Sequence, residues 1–254
     1  MKLNQKTILI TGGSSGIGFE LARLLLQRGN VVIITGREQQ KLDEARRQLP
    51  GLHTIQSDVS EPAAIVALYD TVTAQFPALD TLINNAGIMR NLNLNTQREL
   101  LDVTREIEIN LNGPIRMIQQ FLPHLARRKE ALIVNVSSGL AFVPFPISPV
   151  YSATKAGLHS YTQCLRIQLA GSNVSVVELA PPAVETPLLR NEFDTEMKGQ
   201  KVMDVKVLAE HAIAGIEAGK LEIRPGLANA LKLMSRIAPQ FILNQMAKVK
   251  SAGV

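Results

Sequence analysis

One cysteine, Cys164, is all the thiol chemistry this sequence has. An intrachain disulfide is therefore excluded, and a reducing compartment suits the chain. Cys164 falls within an apolar helical stretch, without a second Cys or a His at metal-ligand spacing. It reads as a small core residue, and no metal centre is expected. Long apolar runs are also missing, so no transmembrane segment is expected. Lys2–Thr11 runs straight into strand-like sequence, without the apolar stretch and small-residue cleavage site of a signal peptide. A cytoplasmic location is expected. No Gly/Ser/Pro-rich linker, repeat or low-complexity tract divides the chain. Residues 1–254 therefore read as one domain, in which 187–254 supply a substrate loop and a C-terminal helical extension. A surplus of acid is absent too: 27 Lys and Arg stand against 22 Asp and Glu. The bases are scattered, and only Arg127, Arg128 and Lys129 form a tight run, read as a solvated helix end. That pattern argues against a nucleic-acid partner, while a modest basic field suits a polyanionic cofactor.

The apolar fraction, 46%, is enough for a sizeable core. Short runs rich in Val, Ile and Leu recur at Thr7–Thr11, Val31–Thr35, His53–Gln56, Thr81–Asn84, Leu132–Ser137 and Val174–Leu179, with a weaker one at Leu221–Arg224. Each is apolar on both faces, as a parallel strand covered by helices must be. Between them Phe19, Ala22, Leu25 and Leu26 share one helical stripe, and Ile65, Leu68, Val72 and Phe76 another. Alternating strands and helices predict an α/β, doubly wound domain with about seven parallel strands. Leu227–Val254 reads as a helix, a break at Pro239 and a second amphipathic piece, packed on its own domain or on a sister subunit, with a membrane-surface or protein-partner helix as the alternative.

Thr11-Gly12-Gly13-Ser14-Ser15-Gly16-Ile17-Gly18 follows the first strand and opens the first helix. Glycine lets the backbone turn tightly and approach a pyrophosphate closely, and the helix N-terminus attracts the anion. The second strand ends in Thr35-Gly36-Arg37, with no carboxylate before Glu38. Arg37 suits a charge-assisted pair with a 2′-phosphate, which a carboxylate would repel. The expected cofactor is NADP(H), in preference to NAD(H). The alternative is a solvated Arg37 with Glu38 reaching back to the ribose.

Ser137-Ser138 ends the fifth strand, and Tyr151-Ser-Ala-Thr-Lys155 opens a helix. Tyr151 and Lys155 share one helical face. A free phenol has a pKa near about 10, so it is a poor base at neutral pH. An ammonium beside it favours the phenolate, and each unit of lowering corresponds to about 1.4 kcal/mol. Reduction of a carbonyl needs a proton delivered to the forming alkoxide. A serine hydroxyl can hold the same oxygen.

These residues closely resemble the short-chain dehydrogenase/reductase family, as far as about Thr186. The resemblance rests on Thr11–Gly18, Asp58, Asn84-Asn85-Ala86-Gly87, Asn110, Ser137-Ser138, Tyr151 and Lys155. It implies a Rossmann domain and a catalytic set of Asn110, Ser138, Tyr151 and Lys155. It also implies a cofactor groove built from Gly12, Ser14, Ser15, Gly16, Ile17, Gly18, Arg37, Asp58, Val59, Asn85, Ala86, Gly87, Tyr151, Lys155, Pro181, Val184 and Thr186. By the same resemblance Lys155 binds the nicotinamide ribose, Asn110 holds a relay water, and Asp58 meets the adenine amino group. Homodimers or homotetramers are the implied assembly. From the residues alone, Asp58 could be a helix N-cap, Asn84 and Asn85 a turn, and Asn110 an exposed helical residue. Ser138–Pro144 and Glu222–Gly226 further resemble the bacterial DltE-type branch.

One departure is Pro181-Pro182 where many members carry Pro-Gly, which predicts a stiffer loop beside the nicotinamide. Phe142, Val143, Phe145, Leu188 and Leu189 are expected to wall the substrate side, with core or subunit contacts as the alternative, and Arg190 is available for an acidic tail. The reading is an NADP(H)-dependent oxidoreductase acting on a hydrophobic ketone, aldehyde or secondary alcohol, with Tyr151 as the acid/base. A nucleotide-sensing binding protein with little turnover is the alternative. Such proteins usually lose the Tyr or the Lys, and both are present here.

Overall fold

A computed structural model describes residues 2–249. Seven strands, β1 (Thr7–Thr11), β2 (Val31–Gly36), β3 (His53–Gln56), β4 (Thr81–Asn84), β5 (Ala131–Val136), β6 (Val174–Leu179) and β7 (Glu222–Ile223), form one sheet in the order β3-β2-β1-β4-β5-β6-β7. Every pairing is parallel. The helices between them are α1 (Gly16–Gln27), α2 (Gln39–Gln48), α3 (Pro62–Gln75), α4 (Leu100–Ile107), α5 (Gly113–Leu125) and α6 (Pro149–Gln168). After β6 come α7 (Pro187–Phe193), α8 (Val205–Glu217), α9 (Leu227–Ile237) and α10 (Pro239–Met246). This is the doubly wound Rossmann arrangement.

The Val- and Ile-rich strands need apolar cover on both faces, and two core layers supply it. One packs Ile8, Ile10, Ile34 and Val134 against Leu21, Leu25, Leu208 and Ile213 of α1 and α8. The other packs Leu9, Ile33, Leu82 and Ile133 against Leu68, Val72, Met117, Phe121 and Leu165 of α3, α5 and α6. Strand order reverses between β1 and β4, so the loops after these strands diverge and leave a crevice at their carboxyl ends. Proline opens α3, α6, α7 and α10, where its missing N–H costs no helix bond.

Cys164 is exposed, not buried as the sequence suggested. The inward face of α6 carries Tyr151, Lys155, Leu158, Thr162 and Leu165, and Cys164 lies off that stripe. Arg127, Arg128 and Lys129 follow the end of α5, as a solvated helix end. The C-terminal segment breaks at Pro239 into α9 and α10, and its residues 250–254 lie outside the described residues. Met246 packs on a third core cluster, while Leu233, Ile237 and Phe241 face solvent. Among the described residues no helix is long and apolar enough to cross a membrane.

Candidate active site

A cavity of about 490 Å³ runs along the carboxyl ends of β1, β2, β4 and β5. Gly12, Ser14, Ser15, Gly16 and Ile17 line its middle. Gly12 has φ +64°, and a Cβ there would lie 2.7 Å from the Cα of Ala86. Only glycine accepts both that dihedral and that approach. Ser15 caps α1 without a side-chain bond, so first-turn N–H groups border the cavity with no internal acceptor. Such a terminus suits a pyrophosphate. Gly18 does not line the cavity. A Cβ at Gly18 would come within 2.5 Å of Asn85 Nδ2 and of the Gly12 carbonyl, so this glycine permits close packing of α1 on the turn.

Asn85 and Thr11 fix the opposite wall. Asn85 Nδ2 donates to the carbonyls of Thr11 (3.0 Å) and Gly12 (2.9 Å). The Thr11 hydroxyl accepts from the N–H groups of Asn85 and Ala86. These bonds tie the β1 turn to the β4 turn, where Ala86 and Gly87 line the cavity. Asn84 is the buried end of β4, not part of a turn, and its amide donates to Asn135 on β5. Asn135 in turn donates to Thr162 of α6. Sequence reasoning did not foresee this ladder, because it is written across three distant segments.

Arg37 and Asp58 stand at one end of the cavity, with Arg37 Nε 4.0 Å from Asp58 Oδ2. Asp58 is not a helix cap. It accepts from the backbone and hydroxyl of Ser60, while Glu61 precedes α3. Val59 packs beside it against Gly113. Glu38 is held by Lys41 at 2.8 Å. Lys41, one helical turn beyond Arg37, also lines this end, a residue that i,i+4 spacing could have flagged.

Tyr151 and Lys155 occupy the other end, both buried. Burial pushes the Tyr151 phenol up to about 12, the neighbouring Ser138 hydroxyl works downward, and the Glu106 charge adds to the rise. Burial lowers the Lys155 ammonium to about 8, against the pull of Glu178. Lys155 Nζ donates to the Val136 carbonyl at 2.9 Å and lies 5.5 Å from the Tyr151 ring centroid. Ser138 is buried, and its hydroxyl accepts from the Leu140 N–H.

Asn110 is fully buried, and the helix around it is interrupted by a π-turn, Glu108–Asn112. Its Oδ1 accepts from the Ile88 N–H, and its Nδ2 donates to the Ile88 carbonyl and to Thr154. The side chain thus pins the Gly87–Ile88 backbone to α6. Pro181 and Thr186 line the cavity, whereas Val184 is buried in the core and bridges to Met203. Pro182 lies off the cavity lining, near Gly226.

The expected substrate wall needs correction. Phe145, Leu189, Phe193, Met89, Ile147 and Tyr151 form a buried cluster. Val143 is buried too, and Phe142 turns its ring toward His159. Of the five predicted residues only Leu188 lines the cavity, joined by Met89, Arg90, Arg105, Asn191 and Glu192. Met89 and Arg90 lie in loop 88–99, which has no regular periodicity, so the sequence carried no signal for them. Arg190 is spent on Glu185 and Asp194. Arg105 is exposed at the cavity, and no carboxylate pairs with it among the described residues.

Comparison with known proteins agrees with this construction. The family model for short chain dehydrogenases matches residues 6–197. The uncharacterised oxidoreductase DltE of Bacillus subtilis (strain 168) is 41% identical over 247 residues, covering 97% of this chain and 98% of its own. A short-chain dehydrogenase from Sphingobium yanoikuyae, solved with NADPH, aligns with a TM-score of 0.81 at 26% identity, covering 98% of each chain. A 3-ketoacyl-(acyl-carrier-protein) reductase from Brucella melitensis, solved with NADH, aligns at 0.80 and 28% identity, over 88% of this chain and 98% of that one. The chain belongs to the short-chain dehydrogenase/reductase family, in its DltE-type branch. It is a nucleotide-binding oxidoreductase of that family.

Proposed function

We propose that this oxidoreductase is NADP(H)-dependent and interconverts a ketone or aldehyde with its alcohol, using Tyr151 as the acid/base. The observation that carries this reading is one cavity with Arg37 and Lys41 at one end and Tyr151 and Lys155 at the other. Ser14, Arg37 and Lys41 would hold the 2′-phosphate, and the α1 N-terminus the pyrophosphate. Asp58 and Val59 would border the adenine, and Lys155 the nicotinamide ribose. The bound cofactor supplies or takes up the hydride.

Tyr151 gives a proton to the substrate oxygen in reduction and removes it in oxidation. A phenol raised to about 12 is a reluctant base, so Lys155 must be charged to favour the phenolate. Ser138 holds the substrate oxygen through its hydroxyl. Asn110 fixes Gly87 and Ile88 beneath that point. Met89 and Leu188 favour an apolar substrate body, and Arg105 suits an acidic tail at the mouth. Residues 187–249 supply the substrate loop and the helical cover.

The test is NADPH oxidation against a panel of apolar ketones and aldehydes, with and without an acidic tail. Turnover that Tyr151→Phe abolishes supports the reading. A fully active Tyr151→Phe enzyme contradicts it. We also propose a cytoplasmic homodimer or homotetramer, supported by the exposed Ile167 on the outer face of α6. Sedimentation should show a single species of two or four chains, reduced in size by Ile167→Glu.

A further inference from the structure

We propose that Glu178 is the buried counter-charge that keeps the Lys155 ammonium charged, and that Ser137 and His159 lock it in that role. Glu178 ends up fully buried on β6. A buried carboxylate needs partners for both oxygens. Oε1 accepts from the Ser137 hydroxyl at 2.5 Å, and Oε2 from His159 Nδ1 at 2.7 Å. Ser137 follows Val136, whose carbonyl receives Lys155 Nζ. His159 follows Lys155 by one turn on the same face of α6, as Lys155 follows Tyr151. The carboxylate is thus tied to the two segments that carry the reacting groups.

The imidazole holds the carboxylate from the α6 side. His159 Nδ1 donates to Glu178, and Nε2 faces Gln163 Nε2 at 2.9 Å. His159 thus orients Glu178 through Oε2. The other groups around the ring come from three elements. Glu222 on β7 lies with its carboxylate within 4.8 Å of the His159 and Glu178 ligand atoms. Lys232 on α9 takes both Glu222 oxygens at 2.6 Å, and Arg224 bonds one of them at 2.7 Å. Phe142 packs its ring against His159 at 5.0 Å, with Lys232 5.1 Å from the Phe142 centroid. Glu222 is balanced by its own two cations, so the trio His159, Glu178 and Glu222 is not free to take a metal ion. Glu178 is buried beside β5, whose Val136 carbonyl holds the Lys155 ammonium, and its charge opposes the lowering of Lys155 by burial. The Glu-Ile-Arg-Pro-Gly segment at 222–226 thereby screens the back of the site.

The functional weight of this charge rests on the reading of Lys155 as the partner of Tyr151, but its test does not. The experiment follows lysine 13Cε signals by NMR across pH in the full-length protein, with Lys155 assigned by its loss in Lys155→Arg. In the native protein Lys155 should titrate near about 8. Glu178→Gln should lower that midpoint by about one pH unit or more. Ser137→Ala loosens the carboxylate but keeps it, so it should lower the midpoint by less than Glu178→Gln does. His159 sits nearer the surface, and His159→Leu removes the donor to Oε2, so it should lower the midpoint even if Glu178→Gln does not fold. An unmoved midpoint in Glu178→Gln or His159→Leu overturns the proposal, as does a shift in Ser137→Ala equal to that in Glu178→Gln. Should the midpoint fall while turnover stays intact, Glu178 keeps its role and the assignment of Lys155 to turnover fails.

Discussion

Arg37 and Lys41 border the end of the cavity away from Tyr151, and neither needs the other for its own ion pair. If they meet a 2′-phosphate, Arg37→Ala should weaken NADPH binding by roughly 10- to 100-fold and leave NADH nearly unchanged, measured by calorimetry. Equal losses for both cofactors would refute the assignment. Glu106 makes a different prediction. It is fully buried, its Oε2 has no hydrogen-bond partner, and Arg90 Nε stands 3.8 Å away. Burial raises its carboxyl from 4.5 to about 7, and the Arg90 backbone and charge only partly offset this. A carboxyl that binds its proton more tightly when folded stabilises the protein below its ordinary pKa. That contribution is lost as pH climbs toward 7 and stays lost above it. Glu106→Gln keeps the acceptor for the Arg90 N–H. It should therefore gain stability at pH 8, by at most about 3 kcal/mol, and gain little at pH 4. Urea unfolding at the two pH values reads the difference. The place of Arg37 at the cavity was legible in the sequence because it directly follows the end of β2. Glu106 was not, since nothing local says that this turn of α4 is buried beneath Arg90.

At the scale of elements, the β1–α1 turn is the most constrained part of the fold. Gly12→Ala would force a side chain into the Ala86 backbone at a positive φ. It should abolish the thermal shift that cofactor gives and lower Tm by several degrees, read by scanning calorimetry. An intact cofactor shift would contradict this account of the turn. The strands were readable because a parallel strand buried on both faces has to be a short Val/Ile run. Six of the seven runs lie within one residue of the observed strands, and the two-residue β7 is a trimmed version of the seventh. The π-turn around Asn110 was visible only as a poor helix former in a helix. Cys164 lies in an apolar stretch, but the phase of α6 turns it outward, and phase is not set by composition. The substrate wall failed for a related reason. Proximity to Ser138 and Tyr151 in sequence does not fix direction, and Val143, Phe145 and Leu189 turned into the core.

For the whole molecule, the sheet brings β1, β4 and β5 side by side and so sets the Gly12 turn, the Asn85–Gly87 turn and Ser138 along one edge. Tyr151 reaches the same edge because α6 packs over β5 and β6, through Asn135–Thr162 and Glu178–His159 bonds. The central claim is that this edge performs Tyr151-dependent hydride chemistry with NADP(H). The most direct measurement is single-turnover NADPH oxidation at 340 nm with an aldehyde and ketone panel, in the native protein and in Tyr151→Phe. The account predicts carbonyl-dependent oxidation, faster with NADPH than with NADH, that falls by at least about 100-fold in Tyr151→Phe while NADPH still binds. Unchanged turnover in Tyr151→Phe, or binding without oxidation across the whole panel, would contradict it.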